Sequence, residues 1–123
     1  MAPMLPRLYF EFFRPTSFVA EDGGGRLVGF LCGFVSQTDS REAYIHFVGV
    51  APGSRGSGLG RSLYERFYAA ARERGCSVVR SVTSPVNEGS IAFHAALGFE
   101  VAAVAIDYDG PGGHRVRFRR ALD

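Results

Sequence analysis

The stretch VAPGSRGSGLGRSLYERF, residues 50–67, joins an apolar run to a helix-like pattern through Gly56, Gly58 and Gly60, with Arg55 and Arg61 beside them. A strand, a glycine turn and a helix start together make an anion site. The first helical N–H groups have no partner, the helix dipole is positive there, and glycines let a phosphate approach the backbone. If helical, each glycine costs roughly 0.5–1 kcal/mol relative to alanine, so a ligand that needs the space would explain them. Two known phosphate motifs fail on the letters. A Walker loop requires Gly-Lys-Ser/Thr, and all 14 basic residues are arginine. A dinucleotide fingerprint requires GxGxxG, but Arg61 occupies the third position and the acidic residue expected further on is missing. A glycine-rich loop with no ligand stays open as an alternative.

The elements that must hold this turn follow from periodicity and punctuation. Residues 17–21 read as a short strand, 21–26 as its hairpin turn, and 27–37 as a second strand with Gly29 and Gly33 marking close backbone approach or a bulge. Residues 42–51 form a third strand, apolar on both faces and hence central. Leu59, Leu63, Phe67 and Ala70 recur at near-helical spacing and predict a helix over 58–74, stopped by Gly75. A strand at 77–83, a short helix at 87–97 closed by Gly98, and a hairpin around 109–113 complete the chain. The order β-β-β-α-β-α-β-β is an α/β pattern with mixed strand directions in a single domain, 1–123. The lead, residues 1–16, is irregular at its start but aromatic enough to pack on something.

The pattern Arg/Gln-x-x-Gly-x-Gly/Ala is met by residues 55–60 after VGVAP, and a second block follows: Asn87, Ser90, Phe93, then Leu97-Gly98-Phe99. Together these blocks resemble the GNAT superfamily of acetyl-CoA-dependent N-acetyltransferases, over about residues 18–122. The resemblance implies a GNAT-like mixed sheet whose strands 42–51 and 77–83 splay apart. It implies that the pyrophosphate of acetyl-CoA rests on the N–H groups of Gly56, Ser57, Gly58, Leu59, Gly60 and Arg61, with Arg55 nearby, where side chains would obstruct the phosphates. The pantetheine arm would pair with the backbone of Phe47, Val48, Gly49 and Val50 as an extra strand does. Asn87, Ser90 and Phe93 would complete the cofactor site.

Acetyl transfer to an amine needs a proton acceptor, a donor for the thioester oxygen and a proton for the leaving thiolate. The resemblance assigns the oxygen donor to the backbone of Val48. It places the base at Tyr44 or His46, and histidine titrates close to neutral pH. Strand alternation puts Glu42, Tyr44, His46, Val48 and Val50 on one face, so Glu42 is a further candidate for touching the acceptor. The family's usual acid is a tyrosine after the second-block phenylalanine; this chain has His94 there. Each of these residues also has a plain packing or solvated reading.

The family's front region is largely missing here, and the lead resembles a remnant of its second helix. That predicts an open acceptor site for a small or peptide amine, or a site completed by a partner. Exposed Phe10, Phe12 and Phe13 would favour a homodimer. Asp107 and Asp109 would draw a cationic amine. The net charge of +2 gives no reason to expect nucleic acid. Neither a membrane span nor a secretion signal is legible, and Cys32 and Cys76 lack metal or disulfide spacing, so a metal-free cytoplasmic protein is the expectation. A non-catalytic acyl-CoA-binding or assembly module is the rival to the enzyme.

Overall fold

A computed structural model describes residues 7–54, 56–83, 85–108 and 110–122. The elements are α1 (Arg7–Phe12), β1 (Phe18–Glu21), β2 (Leu27–Val35), β3 (Glu42–Val50), α2 (Leu59–Glu73), β4 (Val78–Thr83), α3 (Glu88–Ala96), β5 (Glu100–Ala105) and β6 (Arg115–Ala121). The six strands form one mixed sheet in the order β1-β2-β3-β4-β6-β5. Only β3 and β4 run parallel among these neighbours; every other pair is antiparallel. The expected element order and the central place of β3 both hold.

α2 forms because its apolar residues recur at helical spacing: Leu63, Tyr64, Phe67, Tyr68, Ala70 and Ala71 are all buried. That face covers Leu31 of β2, Ile45 of β3, Val79 of β4 and Phe118 of β6. Each fully buried large apolar side chain contributes roughly 1.5–3 kcal/mol, and this cluster is the core. Tyr64 and Tyr68, polar in name, belong to its inward face.

From Arg7 onward the lead forms regular elements. α1 packs through Tyr9 on Phe34 and His46, and a 3-10 turn at Arg14–Thr16 lies against both β2 and α2. The Thr16 hydroxyl donates to the Gly33 carbonyl at 2.7 Å, and the Gly33 N–H donates to the Ser17 hydroxyl at 3.3 Å. Tyr9 and Phe13 stack against Phe34 of β2. Of the three phenylalanines expected to be exposed, only Phe12 is, at 72%; Phe10 and Phe13 are half-buried. Leu8 joins Phe12 on the open side of α1. No described helix is long and apolar enough to cross a membrane.

Gly33 is where α2 comes closest to the sheet. A Cβ there would lie 2.7 Å from the Tyr44 carbonyl oxygen and would collide with the Phe67 ring. Backbone cannot give way as a side-chain tip can, so Gly33→Ala should lower stability by about 1–3 kcal/mol, read as a reduced urea midpoint. Gly53→Ala, with nothing within 4 Å of the added carbon, serves as the matched control and should be close to neutral.

Candidate active site

β3 and β4 are paired at Glu42, Ala43 and Tyr44, opposite Val78, Val79 and Arg80, and then part. Beyond that point β3 follows β2 as far as Gly29↔Val50, and β4 follows β6 as far as Thr83↔Val116. The wedge between them holds two cavities of about 960 and 620 Å³. His46, Val48, Ser81, Val82 and Asn87 line both cavities, so the opening passes from one face of the sheet to the other.

The smaller cavity lies on the α2 face and reaches the glycine turn through Ser54, Gly56 and Gly60. Gly56 and Gly58 have φ of 81° and 86°, the left-handed region, and a Cβ on either would meet nothing within 4 Å. Backbone conformation, rather than crowding within the chain, is what requires glycine at these two positions. Gly60 is different: it is helical, and its Cβ would sit 3.2 Å from the Phe93 ring. The N–H groups of the first helical turn lack i−4 acceptors; Ser62, donating to the Gly58 carbonyl at 3.0 Å, begins the ladder. Ser57 and Arg61 are exposed at this end. The Leu59 side chain packs inward, so toward the turn it offers its backbone alone. Arg55 lies outside the described residues.

Asn87, Ser90 and Phe93 come together at the start of α3, as the second block predicts. The Asn87 side-chain oxygen accepts the Ser90 N–H at 3.0 Å, an N-cap that fixes the direction of the helix. Phe93 meets Tyr64 of α2 edge-on, with ring centroids 5.4 Å apart. Ser90, Phe93 and Asn87 all line the smaller cavity.

His94 is a core residue. It is 5% exposed and stacks flat on Phe118, with centroids 4.3 Å apart. Nδ1 lies 2.7 Å from the Ser90 carbonyl and so carries the proton; Nε2 then accepts from the Tyr64 hydroxyl at 3.1 Å. Both nitrogens are thus engaged within the chain, and His94 borders the smaller cavity together with Tyr64. Burial raises the Tyr64 phenol as well, keeping it protonated.

The larger cavity opens on the α1 face, and its shape follows from a bulge. Cys32 pairs with Phe47 and Gly33 with Ile45, leaving His46 as an extra residue in β3. Gly29, Leu31 and Gly33 face α2, and their partners Val50, Val48 and Ile45 face it too. Val48 and Val50 therefore do not share a face with Glu42, Tyr44 and His46, contrary to simple alternation. His46 is exposed on the other side, stacked on Tyr9 at 5.5 Å and met edge-on by Phe47 at 4.2 Å. Tyr44 is half-buried between Phe34 and His46. Gly49 lies where Phe30 would collide with any Cβ.

Other expected groups are committed elsewhere. Glu42 accepts from Arg80 Nε at 2.9 Å. Asp107 holds its own turn by accepting the Gly112 N–H at 2.8 Å, and Asp109 lies outside the described residues. Cys32 and Cys76 are buried and unpaired; burial pushes the Cys32 thiol up to about 11, which suppresses any nucleophilic thiolate. The sequence reading missed Arg80 and Arg117, which line the larger cavity. The alternation of Arg115, Arg117 and Arg119 in the last strand was the available signal.

Residues 2–99 match the acetyltransferase (GNAT) family, and the chain belongs to it. It is 35% identical over 104 residues to an uncharacterized N-acetyltransferase of Methanocaldococcus jannaschii, covering 76% of this chain and 45% of the relative. It is 32% identical over 102 residues to mycothiol acetyltransferase of Thermomonospora curvata, covering 83% of this chain and 34% of the relative. The chain thus spans less than half the length of these curated relatives. Among solved structures it is similar to YncA of Salmonella typhimurium with its cofactor acetyl-CoA, at a TM-score of 0.72 and 26% identity, covering 87% of this chain and 64% of that one.

Burial holds the His94 imidazole below its ordinary value of 6.5, against a smaller upward pull from its bond to Ser90. The unfolded chain therefore takes up this proton first. The stability contributed by neutral His94 is complete above about pH 6.5 and is lost as pH falls through the folded value. The urea midpoint should drop on acidification from about pH 8 to about pH 5, and His94→Gln should flatten that part of the profile. The same variant should cost about 1–3 kcal/mol at neutral pH because Tyr64 loses its acceptor.

Proposed function

We propose that this chain is an acetyl-CoA-dependent N-acetyltransferase that passes the acetyl group directly to a primary amine, of a small molecule or a peptide, in a ternary complex. The observation that carries this reading is the wedge: a cavity beside an open helix start and a second cavity beside exposed His46, joined through the gap in the sheet. Family membership and the likeness to an acetyl-CoA-bound structure support it.

In this reading the pyrophosphate lies on the turn from Gly56 to Arg61, where helix-start N–H groups and the positive dipole end favour an anion. Arg55 belongs to the same end by sequence. The pantetheine arm runs between β3 and β4 along Phe47 to Val50, with Asn87, Ser90 and Phe93 on its far side. The amine enters from the larger cavity and attacks the acetyl carbon. Val48 supplies a backbone N–H to the oxygen as it gains charge, and His46 accepts the ammonium proton directly or through water. Tyr44 orders the acceptor or that water. With His94 buried and fully bonded, the thiolate takes its proton from solvent. That last feature is also what favours the rival, a module that binds acyl-CoA without turnover.

The two buried, unpaired thiols fit a reducing cytoplasm. Leu8 and Phe12 on α1, and Val101 and Val104 on the edge strand with Ile106 just after it, are more than half exposed and support a homodimer. Sedimentation should then give twice the chain mass, and Val104→Arg or Phe12→Arg should reduce it to one; a monomer at high concentration would overturn the dimer.

Acetyl-CoA at a hundredfold excess over its Kd should stabilise the fold by about 2.7 kcal/mol, visible as a higher melting temperature. Gly58→Val should remove most of that shift. Thiol release over an amine panel should be detectable, and His46→Ala should lower kcat by about 10²-fold or more with acetyl-CoA affinity retained. Binding without release on any amine would leave the non-catalytic module. No binding would end both readings.

A further inference from the structure

β6 places Arg115, Arg117 and Arg119 on alternate positions, and Val116 and Phe118 between them are buried against the helices. The three guanidinium groups therefore rise from the face that carries Tyr44 and His46. Register adds a fourth, because Arg80 of β4 sits directly opposite Arg119, and Val82 opposite Arg117. Like charges set side by side on a sheet are destabilising unless something offsets them.

Two of the four are visibly offset within the chain. Arg80 donates to Glu42 at 2.9 Å, and Arg119 reaches Glu100 at 3.4 Å. Arg117 differs. Among the described residues it pairs with no carboxylate, and its guanidinium lies 5.9 Å from the centroid of the Tyr108 ring. Both Arg117 and Tyr108 line the larger cavity, on the wall facing Tyr44 and His46 across the wedge. The fold thus holds a charged, half-buried fork at the entrance through which an acceptor must pass.

A guanidinium fork pairs with a carboxylate through two parallel hydrogen bonds. We propose that the acceptor is a small amine that also carries a carboxylate, and that Arg117 grips this carboxylate while the amine faces His46. A single unpaired guanidinium suits a single negative charge. A phosphate dianion would have to approach Glu42, whose carboxylate lines the same cavity. The proposal rests on the acetyltransferase reading, and it makes Arg117 a specificity-determining residue that touches the acceptor away from the reacting atoms.

The test uses sets of three matched acceptors: an amino acid, its carboxamide and its decarboxylated amine. Wild-type protein saturated with acetyl-CoA should favour the acid over both neutralised forms by at least ~10-fold in kcat/KM, carried mainly by KM. Arg117→Gln should bring the three forms within about twofold of one another, with acetyl-CoA binding unchanged; Arg117→Lys should keep part of the preference. A parallel calorimetric titration of each set onto CoA-saturated protein reads the same preference without turnover. A wild-type protein that takes the carboxamide or plain amine as well as the acid overturns the proposal. So does a preference that survives in Arg117→Gln. Loss of acetyl-CoA binding in the wild type would instead strike the underlying transferase reading.

Discussion

The parting of β3 from β4 after Tyr44 is the constraint around which the molecule is arranged. Two adjacent parallel strands would ordinarily continue their ladder, since unpaired backbone groups in a sheet interior are costly. Here each strand keeps its other neighbour instead: β2 holds β3 to Val50, and β6 holds β4 to Thr83. Side chains from both helices then flank the gap. Phe93 of α3 reaches across to Gly60 and Tyr64 of α2, so the helices touch beside the opening without closing it. The missing ladder leaves the β3 edge beyond Tyr44 unpaired with β4, which is what the proposed strand-like seating of an extended, amide-bearing ligand requires.

The bulge at His46 gives the wedge two chemically different sides. Without it, Tyr44, His46, Val48 and Val50 would point one way and the strand would have a single functional face. With it, Val48 and Val50 turn toward the glycine turn and α2, while His46 is held out among Tyr9, Tyr44 and Phe47. One strand then presents Val48 and Val50 to the smaller cavity on one face and His46, the proposed proton acceptor, on the other. The aromatic lead contributes here too. Tyr9 stacks on the imidazole and Phe13 packs on Phe34, so the segment before the first strand backs two of the side chains that line the larger cavity.

Element order, the central strand and the residues of both motif blocks were legible because they rest on local rules. Helical spacing, glycine at a left-handed position and an asparagine cap can all be read from neighbouring letters. What could not be read depends on partners far along the chain. The bulge is a mismatch in counting between β2 and β3, visible only when Cys32 and Gly33 are set against Phe47 and Ile45. His94 occupies the motif position of a proton donor, yet Phe118, 24 residues later in β6, stacks on it and Tyr64 binds its nitrogen. The row of arginines could not be read from β6 alone, because β4 supplies its fourth member, Arg80 opposite Arg119. The sequence read the turn glycines as room for a phosphate; at Gly56 and Gly58 the structure gives backbone conformation as the requirement for glycine.

The two ends of the wedge attract negative charge by different means, and the difference bears on how selective each can be. At the turn, the positive potential comes from backbone dipoles and N–H groups locked into a helix start. Such groups cannot move away or be neutralised by a neighbouring carboxylate, and they accept any phosphate-like group of suitable size. At the other end the charge sits on guanidinium side chains, which discriminate by geometry because their donors form a planar fork. Glu42 and Glu100 remove two of these forks from competition. In the proposed reading, selectivity for the common ligand resides in backbone, whereas selectivity for the variable one resides in a few side chains. Substituting Arg117 would alter the second without disturbing the first, because its side chain rises from the sheet face opposite the buried Val116 and Phe118.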